Sequence, residues 1–198
     1  MDKTVINHIP SAAVNLIQSL IENENLVIKI KQERKTRHGD YKKLHNGKHQ
    51  ITVNSNLNIY RFLITLVHEI AHLKAYQEYG LRIKPHGKEW KKTFQHLMLP
   101  FLNPDIFPPH VLPLLAQHFK NPKASSDTDT DLALALKQYN PSNNNKFVFE
   151  LDEGVTFKLY NGRIFRKGLK RRKRFECIEL STGKLYLFNP NAEVEILE

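Results

Sequence analysis

The sequence predicts an α+β fold in which a helix, a small antiparallel sheet and a second long helix build one domain, and a small all-β module follows. Three observations carry this. Apolar residues recur at three and four over 11–25 and again over 57–80, as on the buried face of a helix. Between these stretches, and again after residue 146, short β-rich runs are bounded by Gly, Asn and Asp turn signals. Residues 121–146 separate the two regions with a composition of their own.

In chain order, Val14, Ile17, Leu20 and Ile21 predict a helix over Ser11–Asn25, started by Pro10-Ser11. Leu26–Lys31 and Gln50–Asn54 read as strands. Tyr41–Leu44 is a short middle strand between the turns at His38-Gly39-Asp40 and His45-Asn46-Gly47-Lys48. Ile59, Phe62, Leu63, Leu66, Ile70 and Leu73 predict a long helix closed by Gly80 in a left-handed cap. A further helix is expected from Pro85-His86 to Leu97, with Trp90, Phe94 and Leu97 on one side. Pro100, Pro104, Pro108, Pro109 and Pro113 then allow only short helical turns. The expected division is a domain over 1–120, a linker over 121–146 holding one short helix at Leu132–Tyr139, and a β module over 147–198 with strands at Phe147–Phe149, Val155–Phe157, Phe175–Leu180 and Leu185–Phe188.

The 198 residues carry 30 Lys+Arg against 20 Asp+Glu, a formal charge of +10. Such a surplus favours polyanions: nucleic acid, acidic tails or an anionic membrane face. Its distribution is uneven: +8 over residues 1–99, zero over 100–146 and +2 over 147–198, with one dense run, Lys170-Arg171-Arg172-Lys173-Arg174. With 40% apolar and 25% charged residues the composition excludes a disordered polyelectrolyte. Its longest apolar runs fall well short of the roughly 20 residues of a membrane span. The start lacks a signal-peptide pattern and Cys177 is the one cysteine, so a cytoplasmic protein with no membrane partner is expected.

The most specific local feature is His68-Glu69-Ile70-Ala71-His72. Four residues apart on a helix, the two histidines lie about 40° apart around the axis and both imidazoles can reach one metal ion. Glu69, beside the pair but out of line with it, is placed to take a proton from water activated by that metal. At this composition, random placement would produce the pattern in roughly 3% of such chains. One zinc ion, three neutral ligands and a water would make a hydrolytic centre. The third ligand is His86 in Pro85-His86-Gly87-Lys88-Glu89-Trp90, with Glu89 as the alternative. A glycine at 75 and histidine at 78, required by the longer HExxHxxGxxH pattern, are replaced by Ala75 and Glu78. The sequence does not identify the oxyanion partner; Tyr60, Arg61 and Tyr76 are near enough on the helix to be candidates.

The run Leu63-Ile64-Thr65-Leu66-Val67-His68-Glu69-Ile70-Ala71-His72, the His86-Gly87-Lys88-Glu89-Trp90 segment and the preceding strand Ile51-Thr52-Val53-Asn54 resemble the SprT-like, or Spartan-like, zinc metalloproteases over roughly Ser11–Leu99. The resemblance implies a zincin-like first domain, zinc on His68, His72 and His86, and Glu69 as general base. It also implies association with DNA and cleavage of proteins bound or crosslinked to it. Many members carry a zinc ribbon after the protease domain, which needs about four cysteines. With Cys177 alone, the tail is expected to be a ribbon-like, cysteine-depleted β module packed by Phe157, Phe165, Phe175 and Phe188. Lys170–Arg174, flanked by Phe165, Phe175 and Tyr186, combines charge and rings as single-strand binders do. A second DNA-binding patch is expected at Lys29, Lys31, Arg34, Lys35, Arg37 and His38. The rival readings are a DNA-binding adaptor with a structural metal site, and a metallopeptidase indifferent to DNA.

Overall fold

A computed structural model describes residues 3–34, 36–80, 82–141 and 145–197. The chain is mixed α+β, with two sheets, and divides into two units, Met1–Asn140 and Pro141–Glu198.

In the first unit, α1 (Lys3–Ile6) and a 3-10 turn at Ser11–Ala13 lead into α2 (Val14–Ile21). The helix ends four residues before its expected limit, and Glu24, just past it, takes Lys74 and Gln77 as partners at 2.5 Å each. Strands β1 (Leu26–Lys31), β2 (Gly39–Lys43) and β3 (His49–Asn54) follow in the spatial order β1-β3-β2. The expected antiparallel sheet with a middle β2 is therefore corrected: β3 pairs parallel with β1 and antiparallel with β2. Composition explains the order. Ile51 and Val53 are fully buried and Thr52 and Asn54 nearly so, which suits a central strand, whereas Gly39-Asp40-Tyr41-Lys42-Lys43 is polar enough to tolerate an edge.

Helix α3 (Ile59–Tyr79) crosses this sheet and packs against α4 (Lys88–Met98). Phe62, Leu63, Leu66, Val67, Ile70, Ala71, Leu73 and Ala75 are fully enclosed, so the helix is central rather than one-sided. Ile59, expected in its apolar stripe, is exposed because it is the first residue after the cap. Gly80 ends the helix at φ 77°, where its N–H donates to the Tyr76 carbonyl at 2.9 Å. After a 3-10 turn at Leu99–Phe101, α5 (Leu112–Phe119) and α6 (Thr130–Lys137) complete the unit.

The segment expected as a linker is instead built into this unit up to Asn140. Leu132 and Leu136 of α6 join the core that holds Phe62, Trp90, Phe94 and Phe107. Polar anchors reinforce the packing. The Asn58 side chain caps α3, accepting from the N–H groups of Tyr60 and Arg61, and its amide donates to the Leu136 carbonyl and to Asn140 Oδ1 at 2.8 and 2.7 Å. Asp127 accepts from Arg61 of α3 and lies 2.5 Å from His38 Nε2. Burial alone would raise its pKa, but the hydrogen bond from His38 and the charge of Arg61 reverse this and hold the carboxyl below the usual range.

The second unit is one antiparallel sheet of β4 (Asn145–Phe147), β5 (Thr156–Lys158), β6 (Ile164–Arg171), β7 (Arg174–Glu179), β8 (Leu185–Phe188) and β9 (Glu193–Ile196), in the order β4-β9-β5-β6-β7-β8. It has more strands than expected. The reading missed β6, whose Arg166, Lys167, Gly168 and Lys170 hide its alternation behind charge and a bulge between Lys167 and Lys170. Phe147–Phe149 is a strand only to Phe147, then turns through Val148–Glu150. Phe157, Phe165, Cys177 and Val194 form the core, with Phe175, Tyr186 and Phe188 packed on it. Burial raises the Cys177 thiol to about 11, so it sits there as a small apolar residue.

Asn58→Ala should cost about 2 kcal/mol, the sum of a lost cap and unsatisfied buried partners, read as a lower urea midpoint with unchanged slope. Asp127→Asn should cost roughly 2–4 kcal/mol at pH 7 by removing the negative charge that faces Arg61, which is 7% exposed. Because the folded-state pKa of Asp127 is depressed, its contribution is complete above the unfolded value of about 3.9 and is lost as pH falls through the folded one. The gap between wild type and variant should therefore close below about pH 4 in unfolding curves taken against pH.

Candidate metal centre

His68 and His72 project from adjacent turns of α3, and His86 reaches them from the connection to α4. The chain turns tightly there: the Gly87 N–H donates to the Lys84 carbonyl at 2.8 Å and His86 adopts φ 58°. A histidine held in that sparsely populated region is maintained only by its surroundings. Here the surroundings are Trp90, fully buried, whose ring lies 4.6, 5.2 and 4.7 Å from those of His68, His72 and His86.

The three Nε2 atoms are 3.1, 3.1 and 3.2 Å apart. Imidazole protons and lone pairs lie in the ring plane, and three nitrogens aimed at one point cannot all hydrogen-bond one another. A tetrahedral ion about 2.0–2.1 Å from each would space them about 3.3 Å apart. Burial, followed by the mutual repulsion of the rings, lowers His68 to about 2 and His72 to about 4, and burial lowers His86 as well. The rings are thus neutral near pH 7, the state in which imidazole ligates. Among the described residues this is the one group of three or more His, Cys, Asp or Glu side chains close enough to share an ion. Glu89 is not part of it and lies in the first turn of α4 beside Gly87.

Glu69 is buried next to this cluster, and burial pushes its carboxyl up to about 8. Asp40 adds to the rise, while Arg34, Arg37 and a hydrogen bond from the Tyr41 backbone N–H oppose it. Strand β2 runs directly against it: a Cβ at Gly39 would stand 2.5 Å from Glu69 Oε1 and 2.8 Å from Thr65 Cγ2. Only glycine allows this approach. Tyr41 stacks on His72 with ring planes 4° apart and its hydroxyl is 2.9 Å from His49 Nδ1. Gly39, Tyr41 and Thr65, together with His68, His72, His86 and Glu69, line a cleft of about 680 Å³.

The cleft also takes in His38, His118, Lys123, Ser125 and Asp127, none of which sequence reasoning assigned to a metal site. His118 is buried, 3.3 Å from Asp129, and burial lowers its pKa against that partner. These residues lack any spacing signal, because distant segments bring them together. Of the three oxyanion candidates, Tyr76 lines the cleft and accepts from Lys43 at 2.7 Å. Tyr60 instead packs on Phe107 and Tyr139, and Arg61 holds Asp127.

The expected DNA contacts separate into different situations. Lys35 lies outside the described residues. Arg37 is exposed and paired with Asp40 at 2.8 Å. Arg34 is spent inside the fold, donating to Asn54 Oδ1 and Thr52 Oγ1 at 2.8 Å each, and His38 holds Asp127. Lys29 and Lys31 occupy exposed positions of β1. Lys170, Arg171, Arg172, Lys173 and Arg174 form the exposed β6–β7 hairpin, turned through Arg172 at φ 51°. Of the rings expected to flank them, Phe175 is reached by Lys170, whose Nζ lies 6.0 Å from its ring centre on the core side of the sheet. Phe165 is fully buried, and Phe175 and Tyr186 pack into the core of the second unit. The hairpin therefore offers charge without a stacking platform.

The SprT-like family matches residues 11–106. Protein SprT of Pseudomonas paraeruginosa, of Pseudomonas aeruginosa and of Pseudomonas fluorescens SBW25 are each 59% identical over 27 residues. That stretch is 14% of this chain and 16% of theirs, so the chain spans about a sixth of the length of the relatives it matches. No solved structure is matched. Residues 11–106, which contain both α3 and the His86 turn, are thus an SprT-like segment of the chain.

Proposed function

We propose that this protein is a zinc-dependent endopeptidase with a zincin-like catalytic domain, associated with DNA and acting on proteins bound or crosslinked to it. The convergence of three neutral imidazole nitrogens beside a buried carboxylate carries the reading. His68, His72 and His86 would hold one zinc ion, which supplies Lewis acidity toward the scissile carbonyl and an acidified water. Glu69 takes the proton from the attacking water and returns it to the leaving amine nitrogen. Its elevated pKa suits both transfers near neutral pH. The substrate lies extended along β2, whose outer edge is unpaired within the sheet and whose Gly39, Asp40 and Tyr41 line the cleft. Tyr41, stacked on His72, orients that ligand.

The DNA association rests on the +10 charge and on the exposed hairpin Lys170–Arg174, which can neutralise phosphates without reading bases.

Metal analysis and a cleavage assay on a DNA-bound protein substrate, with and without DNA, test the reading. Wild type should carry one zinc and cleave, with stimulation by DNA. Glu69→Gln should keep the metal and DNA affinity and lose cleavage by roughly 10²–10⁴-fold. Replacing Lys170–Arg174 with serine should weaken DNA stimulation at full zinc content. A zinc-loaded wild type that cleaves nothing with DNA present would leave a structural site in a DNA-binding adaptor, and activity indifferent to DNA would leave a general peptidase. Gly39→Ala should lower kcat about tenfold or more with zinc retained, because the new methyl displaces Glu69.

A further inference from the structure

Strand β8 is the open edge of the second sheet: among the described residues it pairs with β7 alone. Its sequence, Leu185-Tyr186-Leu187-Phe188, has neither the charge nor the proline that usually protects such an edge. Tyr186 and Phe188 point into the core, so Leu185 and Leu187 stand on the outer face, 63% and 55% exposed. Beside them on β7 and just past its end are Ile178 and Leu180, 43% and 45% exposed, with Ile178 directly opposite Leu185. Four aliphatic side chains thus form one strip along an unpaired edge. Single exposed leucines are ordinary; a contiguous strip on a free edge marks an interaction site.

Both ends of the strip are basic. Lys184 precedes β8 at one end, and the hairpin residues Arg172, Lys173 and Arg174 lie next to the Phe175–Phe188 pair at the other. Arg166 stands opposite Ile178. Glu176, the acidic residue opposite Leu187, is neutralised by Arg171 at 3.0 Å. A second copy pairing through the same edge would bring these cations together. Nucleic acid would find no ring on the outer face of β7 and β8 and would leave the aliphatic strip in water.

We propose that the β8 edge and the β7–β8 outer face receive an extended segment of a partner protein, aliphatic at alternate positions and acidic at its ends, which adds as a seventh strand. Backbone pairing supplies the affinity and the strip selects the side chains. The four residues of β8 set the paired core at about 13 Å, and the cations select the ends.

Selection from a displayed library of random ten-residue peptides against the full chain tests this. Alternating Val, Ile or Leu with terminal Asp or Glu should be enriched. By fluorescence anisotropy, a synthetic winner should bind Leu185→Ser/Leu187→Ser and Arg172→Glu/Arg174→Glu each roughly tenfold more weakly, from lost apolar burial and lost charge pairing respectively. The second variant leaves the sheet's side-chain packing untouched and keeps the test valid if the first misfolds. Absence of an enriched class, unchanged affinity in the charge variant, or a dimer in sedimentation that Leu185→Ser/Leu187→Ser abolishes would each overturn the proposal. None of these readings involves zinc or cleavage, so the peptidase reading stands or falls separately.

Discussion

Helix α3 has to be two things at once, and the first unit is organised by that constraint. Its apolar side chains are the centre of the core, yet the same turns carry Arg61, His68, Glu69 and His72. A polar group taken out of water must find a partner or give up its charge. Arg61 meets Asp127, Glu69 meets the Tyr41 N–H and a raised pKa, and the histidines shed their protons. Enclosure by sheet and helices thus creates the chemical character of the site as well as the stability of the helix.

The same enclosure explains what could be read from the sequence. Helix α3, which bears His68 and His72, and α4, which follows His86, both show a period of 3.6, and the spacing of His68 and His72 is local, so each is visible in the sequence. His86 was reachable because a glycine-terminated helix leaves few ways to continue. The strand order was not visible, since Tyr41–Leu44 shows alternation but nothing about whether it sits in the middle or at the rim; that depends on the nearly complete burial of β3. Nor was the role of residues 121–140. Their Ser, Asp and Thr content reads as loop, while Asp127, Leu136 and Asn140 act through hydrogen-bond partners 66 to 89 positions away and Leu132 through the core.

The second unit shows the opposite failure. Its aromatic residues were counted toward a nucleic-acid surface because they neighbour the basic run in sequence. In a strand, neighbours face opposite sides. Phe175 turns inward while Arg174 turns out, which leaves the charge on the hairpin and the aliphatic strip on the outer face as separate surfaces.

The tie between Asp127 and Arg61 divides responsibility along the chain. The family resemblance stops at residue 106, after all three histidines and Glu69. Yet the cleft is walled in part by His118, Lys123, Ser125 and Asp127, which lie beyond that limit, and Asp127 is fastened back onto α3 through Arg61. The three histidines and Glu69 thus lie within the matched segment, whereas part of the cleft's wall comes from residues after it. Under the proposed function, selection could retune the choice of substrate by editing that downstream wall, leaving His68, His72, His86 and Glu69 alone.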